Sequence, residues 1–286
     1  MTDQTTTEYA NPDALVTTEW LATNLDDASL RIIEVDEDTD AYAGSHVPGA
    51  IAWDWALDLH HPIRRDYLDR DGFSDLLAAA GVTDDTTVIV YGGNNNWFAA
   101  YAYWLLKLRG FDSVKLLDGG RLKWNIEGRP TTTELPTIEK TGYSINGPER
   151  PELRALRDDV LGKVGADGVS FVDVRSPEEY SGVKLAPDHL PQEQPYVGGH
   201  IPAAVNIPWS KAANEDGSFR SASELADLYG GAGVLGDNEV IAYCRIGERS
   251  SHTWFVLHEL LGSERVANYD GSWTEYGSLV GAQVEK

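Results

Sequence analysis

The sequence predicts an α/β protein built as two tandem domains, each a mainly parallel sheet flanked by helices on both faces. Three observations predict it. An internal repeat pairs Val88-Ile89-Val90-Tyr91 and Gly92 with Val240-Ile241-Ala242-Tyr243 and Cys244, and the same offset of 152 positions holds through Gly110 and Gly262 to Asp118-Gly119 and Asp270-Gly271. Short β-branched and aromatic runs alternate with stretches of helical periodicity, the pattern of a parallel sheet covered by helices. Between the repeats, residues 141–151 are rich in glycine and proline and read as an extended linker.

The elements follow in order. Ile33-Glu34-Val35-Asp36 in the first repeat answers Val172-Asp173-Val174-Arg175 in the second, and Asp173 and Arg175 are spaced for a local ion pair. Next come Ser45-His46-Val47-Pro48-Gly49-Ala50 and Gly199-His200-Ile201-Pro202-Ala203-Ala204. A histidine recurring at equivalent positions points to a fold role, the holding of a turn, ahead of catalysis. Residues 88–91 and 240–243 are buried strands. After the second, Trp254, Leu257, Leu260 and Leu261 mark an amphipathic helix over residues 250–261, with Gly262 as its stop. Asp118-Gly119 and Asp270-Gly271 each read as turns. This register draws the first domain at residues 17–132, the linker at 133–152 and the second domain at 153–281. Residues 185–194 have no counterpart in the first repeat and are expected to cover the mouth of a site.

Composition bounds what the chain does. With 286 residues, 42% of them hydrophobic, and nine tryptophans, it is long enough for two cores. No continuous apolar stretch reaches membrane-spanning length, and Met1-Thr2-Asp3-Gln4-Thr5 lacks the basic and apolar regions of a signal peptide. The expected location is the cytoplasm. A formal charge of −23, from 46 acidic against 23 basic residues, argues against nucleic acid and anionic membranes as partners. Acidity along the whole chain, with arginine outnumbering lysine, points to a halophilic protein. One cysteine excludes an internal disulfide, a cysteine-rich zinc site and a dithiol mechanism with a resolving partner. Neither a metal nor an organic cofactor is expected.

That cysteine, Cys244, opens the run Cys244-Arg245-Ile246-Gly247-Glu248-Arg249 between a strand and a helix. A lone cysteine is ordinarily a small core hydrophobe. This one follows the apolar run instead of lying inside it, and two arginines and a glycine come within five positions. Unpaired N–H groups at a helix start favour an anion, and with nearby arginines they lower a thiol from its usual pKa of about 8.5. The run predicts a partly exposed, nucleophilic thiolate. Its counterpart in the first repeat, Gly92-Gly93-Asn94-Asn95-Asn96-Trp97, has neither thiol nor arginine. The first repeat is therefore expected to be catalytically silent.

Two α/β halves, a His-[Ile/Val]-Pro-[Gly/Ala]-Ala motif in each, Asp173-Val174-Arg175 and a six-residue loop opened by cysteine resemble the two-domain rhodaneses, which are thiosulfate sulfurtransferases. The likeness covers roughly residues 17–281. Residues 243–252 and Asp270-Gly271-Ser272-Trp273 most resemble the bacterial and archaeal type, and the acidity suggests a haloarchaeal source. The resemblance implies that Cys244 takes the outer sulfur of thiosulfate as a persulfide and passes it to cyanide, a small thiol or a sulfur-carrier protein. It implies that the backbone of Arg245, Ile246, Gly247, Glu248 and Arg249 cradles the terminal sulfur, with Arg245 and Arg249 binding the sulfonate oxygens. Ile246 and Glu179 stand where vertebrate rhodaneses carry a lysine and an arginine, so Arg249, or Arg64 and Arg65 of the first repeat, are candidates to compensate.

Other reactions fit parts of the pattern. Cysteine-loop phosphatases and arsenate reductases generally place five residues between cysteine and arginine, whereas four separate Cys244 from Arg249. Mercaptopyruvate sulfurtransferases tend to carry Gly-Ser-Gly after the cysteine, so Arg245 favours thiosulfate. A persulfide-relay binding module would use the same loop.

Overall fold

The β-branched runs form strands. A computed structural model describes residues 9–187 and 194–286. Its first repeat forms β1 (Leu15–Val16), β2 (Leu30–Glu34), β3 (Ile51–Ala52), β4 (Thr87–Tyr91) and β5 (Val114–Leu117), in the order β1-β5-β4-β2-β3. The second forms β6 (Arg154–Ala155), β7 (Val169–Asp173), β8 (Val205–Asn206), β9 (Glu239–Tyr243) and β10 (Val266–Tyr269), in the order β6-β10-β9-β7-β8. Every strand pairing in both sheets is parallel. The central strands β4 and β9 are covered on both faces, which is why their sequences run apolar without alternation.

Helices flank each sheet. In the first repeat they are α1 (Thr18–Thr23), α2 (Ala41–Gly44), α3 (Arg70–Ala79), α4 (Trp97–Leu108) and α5 (Gly120–Ile126). In the second they are α6 (Arg157–Lys163), α7 (Pro177–Tyr180), α8 (Ala222–Gly230), α9 (Glu248–Phe255) and α10 (Ser272–Tyr276). Side-chain caps start several: Thr17 accepts from the Trp20 N–H, Asp69 from Gly72, and Ser221 with Glu224 forms a capping box. Helix α9 begins two residues before its apolar periodicity does, because left-handed Gly247 (φ 105°) starts it among polar residues. It continues through a π-helical turn, Val256–Leu260, and Gly262 (φ 71°) follows its end as expected. No helix among the described residues is long and apolar enough to cross a membrane.

The chain packs as two compact units, and neither is contiguous. Of the described residues, one holds 13–150 with 213–219; the other holds 9–12, 151–187, 194–212 and 220–286. In the first, the Phe219 N–H donates to Asp118 (2.9 Å) and Lys123 pairs with Asp216 (3.0 Å), so Asp118 anchors a segment besides shaping its turn. In the second, the Ala10 and Asn11 N–H groups donate to Leu260 and Glu259 carbonyls (2.9 Å each). Residues 133–150 carry no regular helix and only an isolated bridge at Thr132 precedes them. They lie along the first unit, where the Ile145 N–H donates to Ser74 (3.1 Å) and the backbones of Gly110 and Gly147 cross. A Cβ on Gly147 would stand 2.1 Å from the Gly110 carbonyl oxygen, which only glycine permits.

The recurring histidines hold turns alike through Nδ1 and the ring face, while Nε2 meets the Glu134 carbonyl (3.1 Å) in His46 and the Glu285 carboxylate (3.6 Å) in His200. His46 Nδ1 meets the Tyr42 carbonyl at 2.9 Å and its ring stacks on Tyr42 at 3.8 Å; His200 meets the Tyr180 carbonyl at 2.9 Å and stacks on Tyr180 at 3.6 Å. Each tyrosine hydroxyl donates to the alanine carbonyl that ends the motif, Ala50 (2.6 Å) or Ala204 (2.7 Å). The central strands join in, since Tyr91 accepts from the Val47 N–H and Tyr243 from Ile201. His46→Ala and His200→Ala should each cost about 1–3 kcal/mol in urea unfolding, the loss of a buried hydrogen bond and a ring contact. Similar losses from both repeats mark a fold role; a loss confined to His200 contradicts it.

Candidate active site

Strand β9 is the middle strand of its sheet, and Cys244 stands just beyond its carboxyl end, where open parallel sheets place their ligands. The chain must reverse there to start α9, and Gly247 makes that possible. Its φ of 105° disfavours any side chain, and a Cβ would meet the Asp270 Cα at 2.9 Å. So curled, the Gly247 N–H donates to Cys244 Sγ at 3.1 Å. The Gly247 carbonyl accepts from three donors, Ser251 Oγ (2.9 Å), Asn268 Nδ2 (3.0 Å) and the Ser251 N–H (3.2 Å), while Ser250 Oγ, 3.1 Å from it, gives its single proton to Asn268 Oδ1 (2.6 Å). Those contacts fix the plane of the peptide that follows, whose N–H points away from its carbonyl.

The loop is also tied to the turn before α10. The Cys244 N–H donates to Ser272 Oγ (3.1 Å), which in turn donates to the Tyr269 carbonyl (2.6 Å). The Trp273 and Thr274 N–H groups donate to the carbonyls of Cys244 (3.1 Å) and Arg245 (3.0 Å). Enclosed this way, Cys244 is buried, not partly exposed as its sequence context suggests. Ser250, Ser251, Asn268 and Ser272 gave no sequence signal as site residues. Only their positions in the repeat, after the cysteine loop and after β10, mark them.

The two loop arginines differ from one another. Arg249 donates from Nη1 and Nη2 to the two oxygens of Glu179, both at 2.9 Å, with the side chains only 7% and 2% exposed. The guanidinium expected to hold sulfonate oxygens faces a carboxylate of its own protein. Glu179 arrives there from α7, where it closes a capping box with Ser176. Burial by itself would raise the Glu179 carboxyl, but the hydrogen bonds and charge of Arg249 outweigh it and hold it below the usual carboxylate range. Arg249 is pushed above its ordinary value: burial opposes its charge, and Glu179 overrides burial. Arg245 is buried as well and moves the other way, lowered first by burial and further by Arg249, with Glu248, Cys244 and Glu179 opposing. Ile246 is half-buried, and Glu248 is buried at the first position of α9.

Around this loop the remaining charges are paired. Arg175 Nε donates to both oxygens of buried Asp173 (2.9 and 3.1 Å), and its guanidinium lies 4.8 Å from the ring of buried Trp273. The ion pair read from the sequence is thus present, and fully internal. Asp270 is held by Arg154 through two contacts of 3.0 Å. Arg64 and Arg65 are exposed residues of the unit that does not contain Cys244. Of residues 185–194, positions 188–193 lie outside the described residues. No group of side chains among the described residues has the makings of a metal site.

The equivalent loop of the first repeat is built from other material. Asn94, Asn95 and Asn96 are consecutively left-handed (φ 48°, 56° and 63°), a conformation asparagine tolerates better than most residues. Asn96 fills the turn, accepting from the Gly92 N–H (2.9 Å) and donating to the Leu117 carbonyl (2.6 Å). The Gly93 N–H donates to Asp36 (2.6 Å), and Arg121 pairs with both Asp36 and Glu34. Carboxylates of Glu34, Asp36, Asp38, Asp40 and Asp54 line the adjoining pocket, an unsuitable surface for an anion.

The Glu179–Arg249 pair makes stability depend on pH. A depressed carboxyl contributes stability that is fully present above its unfolded value, near 4.5, and lost as pH falls through the lower folded value. Breaking such a pair leaves Arg249 buried without compensation, at a cost of about 3–5 kcal/mol. Urea unfolding of the protein and of Glu179→Gln should therefore differ most near pH 7 and converge progressively below pH 4.5. A difference independent of pH would remove the charge from the explanation.

Comparison with known proteins agrees with this architecture. A family model described as "Rhodanese-like domain" matches residues 17–127 and again 156–279. A Mycolicibacterium smegmatis protein named "Putative thiosulfate sulfurtransferase" is 58% identical over 276 residues, 96% of this chain and 99% of that one. A Haloferax volcanii protein of the same name is 52% identical over 284 residues, 98% of each chain. Among solved structures, a persulfide form of EanB with ergothioneine superposes with a TM-score of 0.84 at 23% identity, covering 97% of this chain and 71% of that one. YnjE superposes with a TM-score of 0.83 at 24% identity, covering 97% and 69%. Those two likenesses concern the fold. The chain belongs to the rhodanese-like family and carries its domain in two tandem copies.

Proposed function

We propose that this protein is a thiosulfate sulfurtransferase whose transferred sulfur is carried on Cys244. The observation that supports it most is the Gly247 N–H donating to Cys244 Sγ from a loop in which the Gly247 carbonyl is pinned by three donors. A tight backbone cradle of this kind suits one sulfur atom better than a tetrahedral oxyanion, and so favours sulfur transfer over phosphatase or arsenate chemistry. The names of the closely similar relatives point the same way.

The reaction runs in two displacements. The Cys244 thiolate attacks the outer sulfur of thiosulfate, the bond between the two donor sulfurs breaks, and its electron pair leaves on sulfite. The enzyme now holds a persulfide anion, stabilised by the loop N–H groups. Cyanide, a small thiol or a sulfur-carrier protein then attacks the outer sulfur and restores the thiolate. With cyanide the product is thiocyanate. Arg245 supplies the charge that meets the donor, while Arg249, committed to Glu179, positions the first turn of α9. Residues 153–281 hold the chemistry in this reading and residues 17–132 are silent, since asparagines and carboxylates occupy the first repeat's loop. No cofactor takes part.

Intact mass tests the assignment directly. Incubation with thiosulfate should add one sulfur, about 32 Da, to the protein and nothing to Cys244→Ser, which should also lose thiosulfate:cyanide transfer while remaining folded. Sulfur uptake by the serine variant would overturn the role of Cys244. Uptake from mercaptopyruvate in place of thiosulfate would reassign the donor.

The same reading places the protein in a cytoplasm of high salt. Its surface carboxylates repel one another and an anionic donor in dilute buffer, and the Debye length of about 3 Å at 1 M salt screens them. The buried Glu179–Arg249 and Asp173–Arg175 pairs are shielded from that screening. Thermal unfolding temperature and turnover should therefore rise together from dilute buffer to molar KCl. A steady decline of both would refute the halophilic reading.

A further inference from the structure

Four charged side chains stand on or against the Cys244 loop: Arg245, Glu248 and Arg249 within it, and Glu179 from α7. Their formal charges cancel. All four are buried, and the arginines respond to Cys244 and to both carboxylates, so the charges act on one another through little solvent. The neighbouring Arg175 adds nothing net, because Asp173 offsets it. Glu179 owes its place to its own helix: the capping box with Ser176 delivers the carboxylate to Arg249 independently of the loop.

We propose that Glu179 is the specificity-determining residue of this site. By cancelling Arg249 it sets how strongly the loop prefers a dianionic over a monoanionic sulfur donor. Arg249 is a positioning residue, whose two donating edges are used inside the protein. The loop then discriminates among donors with the single charge of Arg245 tempered by Glu248. The donor part of this inference rests on the sulfurtransferase reading; the charge part does not.

The experiment compares two pairs of reagents that differ by one charge. Thiosulfate (2−) and methanethiosulfonate (1−) are compared as donors through kcat/KM with cyanide as acceptor. Iodoacetate (1−) and iodoacetamide (neutral) are compared through their rates of Cys244 alkylation. Glu179→Gln leaves one oxygen to accept from Arg249 and removes the charge, so both ratios, more charged over less charged, should rise about three- to tenfold. Arg249→Gln should lower both ratios by a similar factor, and the double variant, neutral at both positions, should return them to within about twofold of the unaltered protein. A merely structural role would slow each pair equally, and unchanged ratios in the single variants would overturn the proposal. Should Glu179→Gln not fold, Arg249→Gln against the double variant gives the same comparison. If the unaltered protein takes no sulfur from either donor, the thiosulfate sulfurtransferase reading fails, and the alkylation ratios still decide the role of Glu179.

Discussion

The site depends on one backbone residue standing where side chains are disfavoured. Gly247 at φ 105° turns the chain from β9 into α9, aims its N–H at Cys244 Sγ and sends its carbonyl down among Ser250, Ser251 and Asn268. A left-handed conformation costs an L-residue about 1–2 kcal/mol, and here a Cβ would also press on the Asp270 backbone. Two side chains and one N–H donate to that carbonyl, so the alternative orientation of the peptide would strand several buried polar groups at once. The cradle is thus stiff by itself, and in the proposed reaction that stiffness serves the electrostatic stabilisation of a developing sulfur anion.

The two repeats show how one fold is kept while its charge is rearranged. Both place an acid on the strand beside the central one, Glu34 or Asp173, and both neutralise it with an arginine. In the second repeat that arginine is Arg175, two residues along the same strand end, and Trp273 takes the position that Arg121 holds in the first. The first repeat instead reaches across from α5 with Arg121 and adds Asp36 where the second has Arg175. The histidine turns keep their Nδ1 contacts and the tyrosine hydroxyls that bind them in both repeats. The charge rearrangement lies at the crest of the sheet, where one repeat presents a thiol and the other carboxylates.

Much of this was legible from residue order. The repeat register gave parallel strands, and the recurrence of His46 and His200 separated fold from chemistry, because equal residues in a repeat with and without a thiol cannot owe their presence to it. Cys244, Gly247 and the helix after them were readable from local pattern alone. The partner of Arg249 was not. Glu179 lies 70 positions away, and the sequence marks it only as standing where vertebrate rhodaneses carry an arginine, while in the structure it also caps α7. Nor did Asn268 show itself, since a polar residue in a buried strand has meaning only once the carbonyl it serves is located. Sequence pattern reports periodicity and local capping; it is silent on which buried donor meets which buried acceptor.

That silence matters most for electrostatics. Read along the chain, Arg245 and Arg249 make a cationic loop in an acidic protein, and the natural conclusion is two guanidinium groups for two anionic charges. Read in space, one of them is matched at 2.9 Å on both edges, and the loop approaches neutrality. Burial strengthens each of these pairings while placing them beyond the reach of salt, whereas the exposed carboxylates that dominate the charge of −23 are open to screening. Surface and interior therefore answer to different variables. Under the proposed function, ionic strength governs the approach of an anionic donor and the tension among surface charges, and the fixed balance of Arg245, Glu248, Arg249 and Glu179 governs what the donor meets at Cys244.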